Sequence, residues 1–357
     1  MSARTFVIAE AGVNHNGSID RALEMVAAAA RAGADAVKFQ TFRAEALATP
    51  SAAKAAYQQE ASGANDGQFA MLKALELSEG EYLRLARACA DHGIEFMSTA
   101  FDAGSLRFLI DDAGLARIKI PSGEITNPQL LLAAARCGRP VLLSTGMATL
   151  DEIETALGVF AFGMMSVAAP TGEAAFKQAF RDHHSLLKDT VTILQCTTAY
   201  PTPVEDINLR AMDTLAKTFG LAVGFSDHSL GTAIAVAAVG RGATVIEKHF
   251  TLDRSLRGPD HAASLECCEL TRMISDIRIV EKALGSGEKI RAASEISNVA
   301  VARRGVYAAR DIAVGESVGS DDLVLLRPET AMSPMRLWDI AGHKSQRAYR
   351  KLEAFDG

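Results

Sequence analysis

The chain has 357 residues, 48% hydrophobic and 22% charged, a globular composition whose length suits one large domain and a small one. Its formal net charge of −6, from 37 basic and 43 acidic side chains, gives no electrostatic reason to expect nucleic acid or an anionic membrane as partner. No apolar run is long enough to span a bilayer, and the N-terminal MSARTFVIAEAGVNHNG lacks the apolar core and cleavage site of a signal peptide, so a cytoplasmic location is expected.

Along the chain, short aliphatic runs at 6–9, 36–39, 94–97, 117–120, 141–143, 191–194, 222–225 and 244–246 read as strands. Stretches with helical spacing near 18–33, 79–92, 104–114, 128–137, 150–161, 207–219, 231–241 and 265–284 follow them in turn. Ser78 with Glu81 and Thr149 with Glu152 have the spacing of capping boxes, and Gly33, Gly93, Gly114, Gly138 and Gly220 sit where helices prefer to end. Eight strand–helix units in about 285 residues predict a (β/α)8 TIM barrel, since open doubly wound sheets typically hold fewer strands.

Nearly every strand run gives way at its C-terminal end to polar residues: Glu10, Lys38 and Gln40, Ser98 and Thr99, Lys119 and Ser122, Ser144 and Thr145, Cys196 and Thr197, Ser226 and His228, Glu247 and His249. A barrel builds its active site at that face. Two longer excursions interrupt the pattern, at 41–77 with its YQQE motif and a Gly/Asn/Asp-rich turn, and at 162–188; such lengths predict a lid or short helices. The five cysteines show no metal-site or CxxC spacing, which predicts reduced, mostly buried thiols.

The barrel is assigned to residues 1–285 and a polar linker to 286–300. Residues 301–357 have short β-like runs with turn signals, a small and mostly irregular β module too small to bury much core alone.

The segments IAEAGVNHNGS, DAVKFQTF, IKIPSGEITN, LLSTGMAT, CTTAYPTP, GFSDHSLGTA, VIEKHFTLD and GPDHAASLE resemble the signature segments of the sialic acid (nonulosonic acid) synthases, of the N-acetylneuraminate/legionaminate type. They occur in the family's order along the barrel, and the tail resembles the family's antifreeze-like (SAF) domain. The resemblance implies condensation of phosphoenolpyruvate with an amino-sugar aldehyde such as N-acetylmannosamine or a deoxy, diacetamido relative. The C3 carbon of phosphoenolpyruvate attacks the aldehyde, water adds at C2 and phosphate leaves. It also implies a domain-swapped homodimer.

Carried over residue by residue, it makes His228 and His249 ligands of a divalent metal, Mn2+ first, with Mg2+ or Co2+ as substitutes; two imidazoles at neighbouring strand ends suit such an ion. Lys38, Lys119, Ser122, Ser144, Thr198 and Ser226 become the phosphoenolpyruvate site, where a trianion needs cations and short hydroxyl donors. Glu10 becomes the catalytic base, expected to stay ionised among lysines. Gln40, Glu124, Tyr200, Asp260 and Arg327 become the sugar contacts, Arg327 reaching across the dimer.

The residues alone allow plainer readings: a hydrogen-bonded histidine pair, serines as helix or loop caps, a Glu10–Lys38 salt bridge, and Asp260 fixing its Gly-Pro turn. His15 and His261 read as loop organisers, and Lys38 on an apolar strand demands a partner. A Schiff-base pyruvate aldolase using Lys38, Lys119 or Lys248 is the alternative enzyme class. A synthase acting on a sugar phosphate is the alternative acceptor, although the barrel motifs show no spare arginine cluster for a second phosphate.

Overall fold

The computed structural model describes residues 4–54, 59 and 67–356. The turn at 63–66 and all of YQQE except Gln59 fall outside them. Compact packing divides the chain into residues 1–286 and 287–357.

In the first unit, β1 (Phe6–Gly12), β2 (Ala36–Thr41), β3 (Glu95–Ala100), β4 (Ile118–Ile120), β5 (Val141–Ser144), β6 (Val191–Gln195), β7 (Ala222–Asp227) and β8 (Val245–Thr251) run parallel in chain order. Pairing of β1 with β8, Glu10 opposite His249, closes the ring. This is the TIM barrel that the alternation predicts. Both capping boxes form, and Gly33, Gly93 and Gly220 cap their helices in the left-handed conformation. Gly114 and Gly138 are left-handed too, but follow helices that close earlier, at Asp111 and Arg136.

The strand period of two sorts the side chains. Ile8, Ala36, Met97, Leu142, Leu194 and Val245 form one buried cluster. Two residues further along each of these strands stand Glu10, Lys38, Thr99, Ser144, Cys196 and Glu247. An apolar layer therefore plugs the barrel directly beneath a polar one, as layered barrel interiors require. Residues of opposite parity, among them Val7, Val37, Leu143, Ile193 and Ile246, join the main core with the surrounding helices.

Asp227 and Lys248 share that outer parity. They pair at 2.9 Å with both side chains wholly buried. The Asp227 carboxylate also accepts the Ser229 hydroxyl and backbone N–H, and Lys248 donates to the Ser229 carbonyl. The pair thus ties the ends of β7 and β8 together. Lys248, weighed above as a Schiff-base lysine, is turned away from its strand neighbours Glu247 and His249.

The excursions carry helices. Residues 41–77 hold Ala44–Leu47 and Gln68–Leu75, and 162–188 hold Glu173–His183 after an extended Leu150–Met165. Phe162 packs edge-on to Phe176 at 5.8 Å, which pins the second of these excursions to the barrel's outer layer. All five cysteines are free. Only Cys89 and Cys196 are buried, and Cys268 is exposed at the start of its helix, fewer burials than the apolar surroundings suggest.

In the second unit, β9 (Gly305–Ala308) and β10 (Leu323–Leu326) pair antiparallel. A core of its own closes around Val306, Ile312, Val318, Tyr349 and Phe355, more than so short a module was expected to bury. The segment read as a linker carries a short helix, Ile296–Ala302.

Removing one partner of a buried ion pair leaves an uncompensated charge, at a cost of about 3–5 kcal/mol. Asp227→Ala is therefore expected to lower the denaturant midpoint strongly, whereas Asp213→Ala on the half-exposed Asp213–Arg241 pair leaves it nearly unchanged. Chemical denaturation of both variants checks this.

Candidate active site

The polar layer opens into a cavity of about 500 Å3 at the C-terminal ends of the strands. Glu10, Lys38, Gln40, Lys119, Ser122, Glu124, Ser144, Thr198, Tyr200, Ser226, His228, His249 and Asp260 all line it. Arg327, the remaining candidate, belongs to the second unit, where it follows β10 and is exposed.

Lys38 is buried and paired. Its ammonium lies 2.6 Å from Glu10 and 3.6 Å from Glu247, and it donates to Thr99 Oγ1 at 2.9 Å. Lys119, equally buried, stands 3.6 Å from the other Glu247 oxygen. Glu247 also accepts from Ser226 at 2.8 Å, so one carboxylate spaces both ammonium groups.

Two glycines make room for this crowding. Gly12, left-handed at φ 52° after the irregularity in β1, leaves open a point within 3.5 Å of Glu10, Gln40 and Asp260, so those three converge. A Cβ on Gly146 would stand 2.8 Å from Ser122 Oγ and 3.0 Å from Thr198 Cγ2. Without one, the Gly146 N–H donates to Ser122 at 3.0 Å and holds that hydroxyl beside Cys196.

The two imidazoles meet with ring centroids 5.5 Å apart, and Tyr200 packs on both. His228 Nδ1 lies 2.7 Å from the Thr197 carbonyl, which can only accept, so Nδ1 carries the proton. That leaves the Nε2 lone pair near the Tyr200 and Ser226 hydroxyls. His249 Nδ1 is buried without a hydrogen-bond partner among the described residues, 3.9 Å from Asp260.

The model of the NeuB family matches residues 25–289. N,N'-diacetyllegionaminic acid synthase of Legionella pneumophila is 44% identical over 96% of this chain and 91% of its own. The enzyme of that name from Campylobacter jejuni is 40% identical over 98% of both. The crystal structure of N-acetylneuraminic acid (sialic acid) synthetase from Leptospira borgpetersenii, in complex with citrate, superposes with a TM-score of 0.67 at 34% identity, covering 83% of this chain and 90% of that one.

The chain belongs to the NeuB family. In this NeuB-family cavity, burial sets the protonation states. Burial, opposed by Lys38 and reinforced by Glu247, raises Glu10 to about 7. This corrects the expectation of a firmly ionised carboxylate: the lysine is there, and desolvation outweighs it. Burial also works against Glu247, but Lys119 and Lys38 with the Ser226 hydrogen bond hold it at about 2. The desolvation of Lys38 is overcome by Glu10 and Glu247, so its pKa rises; burial prevails at Lys119, whose pKa falls. Burial lowers His228 to about 4 and His249 well below the usual imidazole value, and raises Asp260 to about 6.

Two neutral imidazoles, one with an orphaned nitrogen, fit a divalent cation. Among the described residues no three His, Cys, Asp or Glu side chains are grouped to hold an ion by themselves, so the remaining positions would fall to water or substrate oxygen.

Two parts of the wall carried no site role in the sequence reading. Glu247 stood only among the polar strand ends, although its i, i+2 relation to His249 puts both inside the barrel. Met71, Leu72 and Leu75 of the helix Gln68–Leu75 also face the cavity. His15 and His261 organise loops as expected: His15 Nδ1 accepts the Gly17 N–H, and His261 bridges Thr251 and Asn16.

Burial lowers His15 and His261 to about 4 as well. As pH falls from 6.5 towards 4 the unfolded chain takes up protons that these four imidazoles refuse, so their contribution is full above 6.5 and lost below it. Glu10 and Asp260, with raised values, pull the other way, two groups against four. The thermal midpoint is expected to fall between pH 7 and pH 5, and to fall less in His261→Gln; scanning calorimetry across that range checks both.

Proposed function

We propose that the cavity condenses phosphoenolpyruvate with a mannosamine-type amino-sugar aldehyde and water, releasing phosphate and a nonulosonic acid of the legionaminic type. The observation that carries this reading is the placement of two buried lysines, the hydroxyls of Ser122, Ser144, Thr198 and Ser226, and two neutral imidazoles in the wall of one cavity. Membership of the NeuB family and the names of the two bacterial relatives support it.

Phosphoenolpyruvate brings a phosphate and a carboxylate. Lys119, whose nearest partners are 3.5–3.6 Å away, has donors to spare, and Lys38 would exchange part of its hold on Glu10 for the ligand. Charge-assisted bonds made in a desolvated pocket are the strong ones. The C3 carbon then attacks the sugar aldehyde, forming the new C–C bond. Water adds at C2, and the C2–O bond to phosphate breaks as the added hydroxyl passes its proton to the departing phosphate.

Glu10, near 7 and beside Gln40 and Asp260, takes the proton from the attacking water and returns it to the former aldehyde oxygen. A carboxyl poised at the working pH serves both transfers. Gln40, Glu124, Tyr200 and Asp260 orient the sugar. His228 and His249 would hold a divalent metal, most simply Mn2+, which supplies Lewis-acid polarisation of the aldehyde oxygen and orients water when bound. We place the enzyme in the cytoplasm as a domain-swapped homodimer, the tail acting as an antifreeze-like domain that carries Arg327 to the partner's sugar pocket.

One observation favours the aldolase reading: burial lowers Lys119, as a Schiff-base lysine requires. Against it, Glu247 keeps an anion beside that ammonium.

Mass spectrometry of products from phosphoenolpyruvate, manganese and a panel of mannose-type amino sugars is expected to find a nonulosonic acid. Chelation should abolish it, and His228→Ala should no longer respond to added metal; an unaltered manganese response removes His228 from the ligand set. Glu10→Ala is expected to lower kcat by about 10²–10⁴-fold with phosphoenolpyruvate affinity nearly intact; steady-state kinetics decide, and wild-type turnover would end its catalytic role.

A further inference from the structure

The corner 121–127, between β4 and the helix Pro128–Arg136, brings two site residues to the cavity, Ser122 and Glu124. Its backbone is tightly wound: the Glu124 N–H donates to the Pro121 carbonyl, Ile125 to Ser122, and Asn127 to Glu124. The two side chains are then held from different directions. Ser122 takes the Gly146 N–H from the loop after β5, whereas the Glu124 carboxylate takes the Asn127 side-chain amide at 2.7 Å. Among the described residues no other hydrogen bond or ion pair reaches that carboxylate, and this one engages a single oxygen.

Asn127 is also the N-cap of that helix, its Oδ1 accepting the Leu130 N–H at 3.2 Å. Only the amide oxygen can accept, so the helix itself turns the NH2 group towards Glu124. Capping needs an acceptor and no donor. Ser18, Ser78, Asp102 and Thr149 cap their helices with an oxygen, and Pro128 at the first helical position already prepares this one. The amide at 127 therefore supplies a donor that the helix does not require, and Glu124 is what receives it.

We propose that Asn127 is a positioning residue for sugar recognition. It ties one oxygen of the Glu124 carboxylate to the start of the helix and leaves the second free for the hydroxyls of the sugar. The inference rests on the condensation reading above, in which Glu124 orients the sugar. A hydrogen bond to a carboxylate is stronger than one between neutral groups, and a side chain fixed beforehand lowers the ordering cost of binding. Ser122 has its own support in Gly146, so loosening Glu124 leaves the phosphoenolpyruvate side intact.

The test measures KM for phosphoenolpyruvate and for the acceptor, together with the denaturant midpoint. The acceptors are N-acetylmannosamine and its 2,4-diacetamido-2,4,6-trideoxy relative, supplied with manganese. Asn127→Ser and Asn127→Asp both keep a capping oxygen, so the midpoint should change little. The first removes the donor, and the second sets a like charge against Glu124. Each is expected to raise the acceptor KM by about tenfold and to leave the KM for phosphoenolpyruvate unchanged. In Glu124→Gln/Asn127→Asp donor and acceptor exchange places, so Asn127→Asp should cost little in the Glu124→Gln background. An unaltered acceptor KM, equal rises in both KM values, or the same loss from Asn127→Asp in either background overturns the proposal. Those results leave the condensation reading standing; a wild type that makes no nonulosonic acid from either sugar removes that reading and the inference together.

Discussion

Two ammonium groups cannot be carried into the end of a barrel unless something answers their charge, and that constraint organises this site. Lys38 and Lys119 are 2% and 3% exposed, where an unpaired cation would cost several kcal/mol. Glu247 stands 3.6 Å from both, close enough to compensate them and too far to occupy all their donors. Glu10 completes the set at 2.6 Å from Lys38. Burial, reinforced by the Glu247 anion and opposed by Lys38, raises Glu10 to about 7. On the proposed reading, one arrangement of four residues would furnish both an anion receptor and a proton carrier.

The fold makes the arrangement affordable through layering. An apolar plug lies one strand period below the charges, so water reaches them only from the mouth, and low polarity beneath strengthens every pairing above it. On the outer side of the same strands, Asp227 and Lys248 fasten β7 to β8 beside the residues that bear His228 and His249. Rigid strands set the imidazole positions, while the helices of the 41–77 excursion close the side of the cavity that differs most in chemistry.

The barrel was legible because strand and helix periods differ and each unit is long enough to show its own. The site was legible for a related reason: polar residues at strand ends are conspicuous against apolar runs, and thirteen of the fourteen candidates line one cavity. Glu247 escaped a role because its importance lies in two lysines from β2 and β4, a relation that spacing along the chain does not encode. The protonation of Glu10 escaped because burial, which decides it, is a property of the closed ring. The apolar side chains of 69–75 looked like part of an irregular excursion, since FAMLKAL is short and Phe101, which packs with them, lies on another loop. Lys248 looked reactive by type alone; its parity with Asp227 puts it on the outer face.

Intact-mass spectrometry after borohydride reduction in the presence of pyruvate asks most directly whether the buried lysines serve as fixed charges or as nucleophiles. A chain whose lysines only hold an anion keeps its mass. A stoichiometric pyruvate adduct mapping to Lys38 or Lys119 would contradict the account, because an ammonium answered by Glu10 and Glu247 has no free amine to offer.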